Sequence, residues 1–206
     1  EAAESAGSAL DRVGVVIEPR AQWPTGASPL GVPVKGRIPE GERMLPGRAL
    51  ARLTDLGWGG TLRTLLEGPA AQDDAPASSA LIAACVRVLG EWDWAERPVA
   101  VVSMPSKRHP LLIESVARGF AEAGRLAYLG SLGVENGGPV GEPGGNSAWR
   151  LSSVWERFAV PFELPDGPVL LVDDLADSRW TLTVAARALR RAGAAAVLPF
   201  ALALRG

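Results

Sequence analysis

Residues 168–204 read PVLLVDDLADSRWTLTVAARALRRAGAAAVLPFALAL, a strand, a helix and a strand in direct succession. The apolar run at 169–172 suits a central strand covered on both faces. The alternation recurs upstream. SALIAACVRVLGEW has apolar residues three and four apart and predicts a helix; PVAVVSM predicts a strand, HPLLIESVARGFAEAG a helix, RLAYLGSL a strand and WRLSSVWERF a short helix. Strands alternating with helices of ten to sixteen residues indicate an α/β protein with a parallel sheet. In such sheets ligands bind beyond the carboxyl ends of the strands.

The first third of the chain is different. VGVVI predicts a strand, EPRAQWPTGASPLG is dense in turn formers, VPVKGRI is a second short alternating run, and a helix is expected over 61–66. QDDAPASS, residues 72–79, is polar, with serines placed to cap the helix after it. The expected division is a small loop-rich, β-containing accessory or linker region at 1–75 and an α/β domain at 76–206. The start at Glu1, EAAESAGSALDR, reads as a linker or helix tail cut from a longer polypeptide, or as a processed terminus.

Composition removes several kinds of chemistry. Among 206 residues, 47% are hydrophobic and 21% charged, an ordinary globular balance. No apolar run reaches the 18 residues of a membrane span and the first 30 residues lack a secretory pattern, so a cytoplasmic protein without membrane contact is expected. Cys85 is the only cysteine and His109 the only histidine, which excludes an internal disulfide, a structural zinc and any Cys/His pair or multi-histidine metal site. A net charge of −2 argues against nucleic-acid binding through bulk charge, while leaving room for a local basic face.

The candidate site lies between the last two strands. Asp173 and Asp174 are expected at the carboxyl end of the strand, and residues 175–180 must then turn into a helix starting near Arg179. Backbone N–H groups and the positive end of the helix dipole would converge there and favour an anion. A plain alternative is that Asp177 or Ser178 caps the helix and the paired aspartates occupy a solvated turn. Upstream, MPSKRHP follows the PVAVVS strand and offers Ser106, Lys107 and Arg108, either as anion contacts or as a solvated basic turn. His109, before Pro110, reads as a surface or helix-start residue.

Four apolar residues, two acidic residues and a short loop ending in Asp, a hydroxyl residue and Thr before a helix resemble the phosphoribosyl pyrophosphate loop of class I phosphoribosyltransferases. By that resemblance Asp173 and Asp174 would face a ribose, and Ala176, Asp177, Ser178, Arg179, Trp180 and Thr181 a phosphate. Arg179 departs from the pattern, where the family usually has glycine; its Cβ restricts backbone approach, while its guanidinium could hold a phosphate directly. MPSKRHP resembles the second family loop, and the glycine-rich GVENGGPVGEPGGNSA with WRLSSVWERF resembles the mobile catalytic loop of the comF-like branch, with Asn146 and Arg150 as lid candidates. No lysine or arginine lies within that glycine stretch to brace a departing pyrophosphate.

VVIEPRAQWPTG, GRALARLTDLGWGGTLR, MPSKRHP, NSAWRLSSVW and VDDLADSRWTLT together resemble the C-terminal phosphoribosyltransferase-like region of bacterial RecQ-like ATP-dependent DNA helicases, over nearly the whole chain. The resemblance implies a non-motor module that works beside helicase core domains in the same polypeptide, because the chain has no GxxxxGK[ST] motif. DNA would meet a face built from Lys107, Arg108, Arg150, Arg157 and Arg179, with Trp149, Trp155 or Trp180 stacking on bases. The alternatives are a working transferase that uses phosphoribosyl pyrophosphate with Mg²⁺, and a scaffold acting through protein contacts alone.

Overall fold

The structure is a computed structural model describing residues 14–135 and 145–205. Eight strands are present among these residues: β1 (Val15–Ile17), β2 (Gly47–Arg52), β3 (Ala100–Ser103), β4 (Ala127–Ser131), β5 (Gly133–Val134), β6 (Phe158–Ala159), β7 (Pro168–Ala176) and β8 (Ala196–Leu204). Five helices accompany them: α1 (Trp58–Glu67), α2 (Ser79–Gly90), α3 (Pro110–Gly124), α4 (Ser147–Ser152) and α5 (Trp180–Arg191). Six strands form one sheet in the order β1-β2-β8-β7-β3-β4, parallel throughout except for β1 against β2; β5 and β6 make a separate antiparallel pair. The expected α/β class with a mostly parallel sheet is therefore present. No helix among the described residues is long and apolar enough to cross a membrane.

β7 is central because both its faces are covered: Val169, Leu170, Leu171 and Val172 have no solvent exposure. Alternation divides them. Val169 and Leu171 join Trp180, Ala185 and Leu189 of α5 with Trp23, Ile38 and Met44 of the segment after β1. Leu170 and Val172 face Leu62 of α1, Leu81 and Cys85 of α2, and Ile113 and Phe120 of α3. Each fully buried aliphatic side chain contributes about 1.5–3 kcal/mol, so helices and loops on the two faces hold the strand in place.

The region before residue 75 contributes directly to this sheet. β2 pairs in parallel with β8, Arg48 opposite Phe200, and β1 extends the edge. The QDDAPASS stretch ties elements together: Ser78 accepts the Leu81 N–H to cap α2, and Asp74 accepts the Leu111 and Leu112 N–H groups at the start of α3.

Four expectations about elements are corrected. VPVKGRI is no strand; prolines and Gly36 leave it a single bridge between Gln22 and Arg37. GRALAR, read as loop, is β2. The helix expected over 61–66 runs from Trp58 to Glu67, and the helix expected across WRLSSVWERF is the shorter Ser147–Ser152, capped by Asn146 Oδ1 on the Ala148 and Trp149 N–H groups.

Candidate functional site

β7 continues through the two aspartates. Asp173 lies opposite Ala201 and Ala176 opposite Leu204, because β8 is as long as β7 and supplies ladder partners beyond Val172. The loop of the candidate site is thus only residues 177–179, and Asp173, Asp174 and Ala176 belong to the strand end.

The acidic pair is asymmetric. Asp173 is buried and its Oδ1 accepts the Asp174 N–H at 2.9 Å, whereas Asp174 is half-buried and its Oδ2 accepts from Ser106 Oγ at 3.2 Å. Burial, and then the neighbouring Asp174 carboxylate, push the Asp173 carboxyl well above the usual range. Two carboxyls this close favour one proton between them. Ser106 couples the two carboxyl-terminal loops, since its Oγ also accepts the Arg108 and His109 N–H groups at 3.3 and 3.0 Å. Lys107 and Arg108 are exposed on that turn, while His109 is buried at the N-cap of α3. The sequence-based choice of Ser106 with the aspartates is met by a direct contact.

On the other side of Asp174 the loop gathers arginines. Arg150 of α4 approaches Asp177 Oδ2 with Nη1 at 3.7 Å while its Nε donates to the Gly145 carbonyl. Arg179 is the N-cap of α5 with φ of +66°, in the left-handed region, and its Nη1 donates to the Glu18 carbonyl at 3.2 Å. Arg20, from the segment after β1, donates Nε to the Ser178 carbonyl at 2.8 Å and lies 4.2 Å over the Trp180 ring. Burial, then Arg179 and Arg150, hold the Arg20 guanidinium below its ordinary value. Ser178 Oγ approaches the Trp180 N–H at only 3.4 Å, a weak cap, and Thr181 is half-buried in the first turn of α5.

The aromatic expectations divide. Trp180 is 1% exposed, stacked parallel to Trp23 at 6.2 Å, and cannot receive a base. Its Nε1 is buried without a hydrogen-bond partner among the described residues. Trp155 is half-buried, edge-on to Trp23 and under the Arg187 guanidinium. Trp149 is exposed on α4. Arg157 stays on the β5–β6 pair, its carbonyl accepting the Glu135 N–H. Most of the glycine-rich lid expectation, residues 136–144, lies outside the described residues; Asn146 and Arg150 at its end are on α4, the former as cap and the latter beside Asp177.

Arg20 is the residue that sequence reasoning missed. It follows VVIEP in a turn-rich stretch, and its partner Ser178 is 158 positions away, so only the cation just beyond a predicted strand could have signalled it.

Fold and site together define an α/β protein whose mostly parallel sheet presents an acidic strand end, a serine-bearing turn and an arginine-rich helix start side by side. No family model, no curated protein and no solved structure matches the chain.

Proposed function

We propose that this chain is a non-motor accessory module of a RecQ-like DNA helicase, a phosphoribosyltransferase-like domain whose pocket takes a phosphorylated ligand and supports DNA engagement beside the helicase core domains. One observation carries it: Asp174 at the carboxyl end of β7 is joined through Ser106 to the turn after β3, next to an α5 start lined by Arg20, Arg150 and Arg179. A carboxylate pair suited to hydroxyls and a cationic loop suited to phosphate are the two halves of a sugar-phosphate site. Lys107 and Arg108 extend the basic face on exposed positions. A fluorescence titration with single-stranded DNA at rising salt tests the DNA side. Binding at low salt that weakens with salt is expected; no binding even at low salt refutes it for this chain.

The second reading, an active transferase, is favoured by Asp174, a half-exposed carboxylate of the kind that shares Mg²⁺ with a phosphorylated ligand. Among the described residues no group of three or more acidic, His or Cys side chains could hold a metal ion, so the fit exists only jointly with the phosphates of a bound ligand. When bound, Mg²⁺ would neutralise pyrophosphate charge; Asp174 would orient the ligand and Ser106 would fix Asp174. Against turnover stands Arg179, whose side chain occupies a left-handed position where glycine would let backbone approach a phosphate. Calorimetric titration of phosphoribosyl pyrophosphate with Mg²⁺, repeated on Asp173→Asn/Asp174→Asn, decides between binding and no binding. Pyrophosphate release with a nucleobase would establish the transferase.

A further inference from the structure

Three guanidinium groups gather on three consecutive loop residues. Arg150 faces Asp177, Arg20 holds the Ser178 carbonyl, and Arg179 is the loop's own last residue. Among the described residues Asp177 is the one carboxylate in ion-pair range of any of them, and it is shared with Arg205, which Glu67 also engages. Three cations against one carboxylate leave two positive charges unbalanced around a single loop. The charges are not simply dissolved in water. Arg20 is half-buried against the Trp180 ring, and mutual repulsion with Arg179 and Arg150 already depresses its proton affinity. Its two Nη atoms make no hydrogen bond or ion pair among the described residues, although its Nε is fixed. Such a fork, with its plane set by stacking and one bond, is pre-organised for a bidentate partner.

We infer that Arg20, Arg150 and Arg179 form a site for a phosphate monoester dianion, in preference to the singly charged phosphodiester inside a nucleic-acid strand. The match is one of charge and geometry: a monoester brings two negative charges and three terminal oxygens, whereas an internal phosphodiester brings one charge and two free oxygens. Two of the three residues, Arg20 and Arg150, come from outside the loop after β7, so the selectivity belongs to the way this chain folds its N-terminal segment and α4 around that loop. This deepens the pocket proposed above and rests on it. The monoester has two sources: the 5′-phosphate at a DNA strand end, or a small sugar phosphate.

The test uses the whole 206-residue chain. Fluorescence anisotropy compares one short single strand carrying a 5′-phosphate with the same strand carrying a 5′-hydroxyl, with ribose 5-phosphate and inorganic phosphate as competitors. A strand end as ligand predicts that the phosphorylated strand binds about tenfold more tightly, the size of one charge-assisted bidentate contact. It also predicts that this advantage fades below about pH 6, where the monoester takes up its second proton. A small sugar phosphate as ligand predicts equal strand affinities but direct binding of ribose 5-phosphate, abolished in Arg20→Gln. In either case Arg150→Gln, on the more exposed member, must weaken the monoester contact at least about threefold with an unchanged thermal midpoint, which separates ligand loss from misfolding of Arg20→Gln. Asp173→Asn/Asp174→Asn leaves the arginines in place and must retain the monoester preference. Equal affinity for both strands with no binding of ribose 5-phosphate or inorganic phosphate overturns the inference, even where backbone-type DNA binding keeps the helicase-module reading intact.

Discussion

Replacing Arg179 by glycine and, separately, by alanine isolates the strain held at the head of α5. With φ of +66° and ψ of 1°, Arg179 occupies the left-handed region, where a residue with a Cβ costs about 1–2 kcal/mol relative to the right-handed form. Glycine relieves that cost but brings about 0.5–1 kcal/mol of extra chain entropy to the unfolded state. Both substitutions lose the same 3.2 Å bond to the Glu18 carbonyl, worth about 0.5–1.5 kcal/mol. The lost bond cancels in the comparison. Arg179→Gly is therefore expected to be about 0.5–1 kcal/mol more stable than Arg179→Ala, and close to the parent chain. In a chain of this size that separates the two thermal midpoints by about 1–4 °C. Urea unfolding of the three proteins, read as midpoint at constant slope, is the assay. An alanine variant as stable as the glycine variant would refute strain at this position. Because glycine also opens the loop to a phosphate, the same protein shows whether the arginine side chain serves binding or blocks it.

Asp173→Asn is expected to stabilise the chain at neutral pH. The folded carboxyl has its pKa raised by burial and by Asp174, so the folded state holds a proton that the unfolded state releases, and stability falls as pH rises from the ordinary carboxylate value to the raised one; the variant flattens that fall in unfolding curves recorded across this window. Glu42 gives the opposite sign. Burial alone would raise its pKa, but hydrogen bonds from Arg187 and Arg191 outweigh it, so its contribution is present above the unfolded value and lost as pH drops through the depressed one. Glu42→Gln should cost between the ~1 kcal/mol of an exposed pair and the ~3 kcal/mol of a buried one, since the Arg187 side chain is only 10% exposed; a cost near zero in denaturant titration would contradict this. Gly47→Ala should be strongly destabilising, by more than about 2 kcal/mol, because its Cβ would lie 2.3 Å from the Pro199 carbonyl oxygen across the β2–β8 pairing. Cys85, fully buried with its thiol pushed up to about 12, should resist alkylation until the chain is unfolded.

What was legible in the sequence was local. The β7–α5–β8 unit is written in apolar periodicity, and α2 and α3 in the same way, so their existence and order required no knowledge of partners. β2 was not legible: GRALAR breaks its apolar pattern with two arginines, and the strand exists because β8, about 150 positions later, offers a parallel ladder. VPVKGRI erred in the opposite sense, with an alternating pattern but with prolines that deny it a ladder. The two aspartates looked like loop residues because they are polar; they are strand because Ala201 and Ala203 face that end of β7.

The candidate site separates along the same line. Asp173, Asp174, Ser178 and Arg179 were legible because they are neighbours in sequence, and Ser106 because it follows a strand. Arg20 was not, since nothing local marks it as the partner of Ser178. Yet Arg20 changes the chemistry most. Without it the loop is a left-handed helix start carrying an arginine beside an Arg150–Asp177 pair, roughly balanced by partners already present. With it, one more cation is fixed by stacking on Trp180 and by the Ser178 carbonyl, in a place where it repels two others. A chain that buried one carboxyl in β7 at the expense of stability and also crowded three guanidinium groups at the head of α5 has two destabilising features within a few residues. Both are relieved by one kind of ligand, a hydroxyl-bearing sugar that carries a doubly charged phosphate.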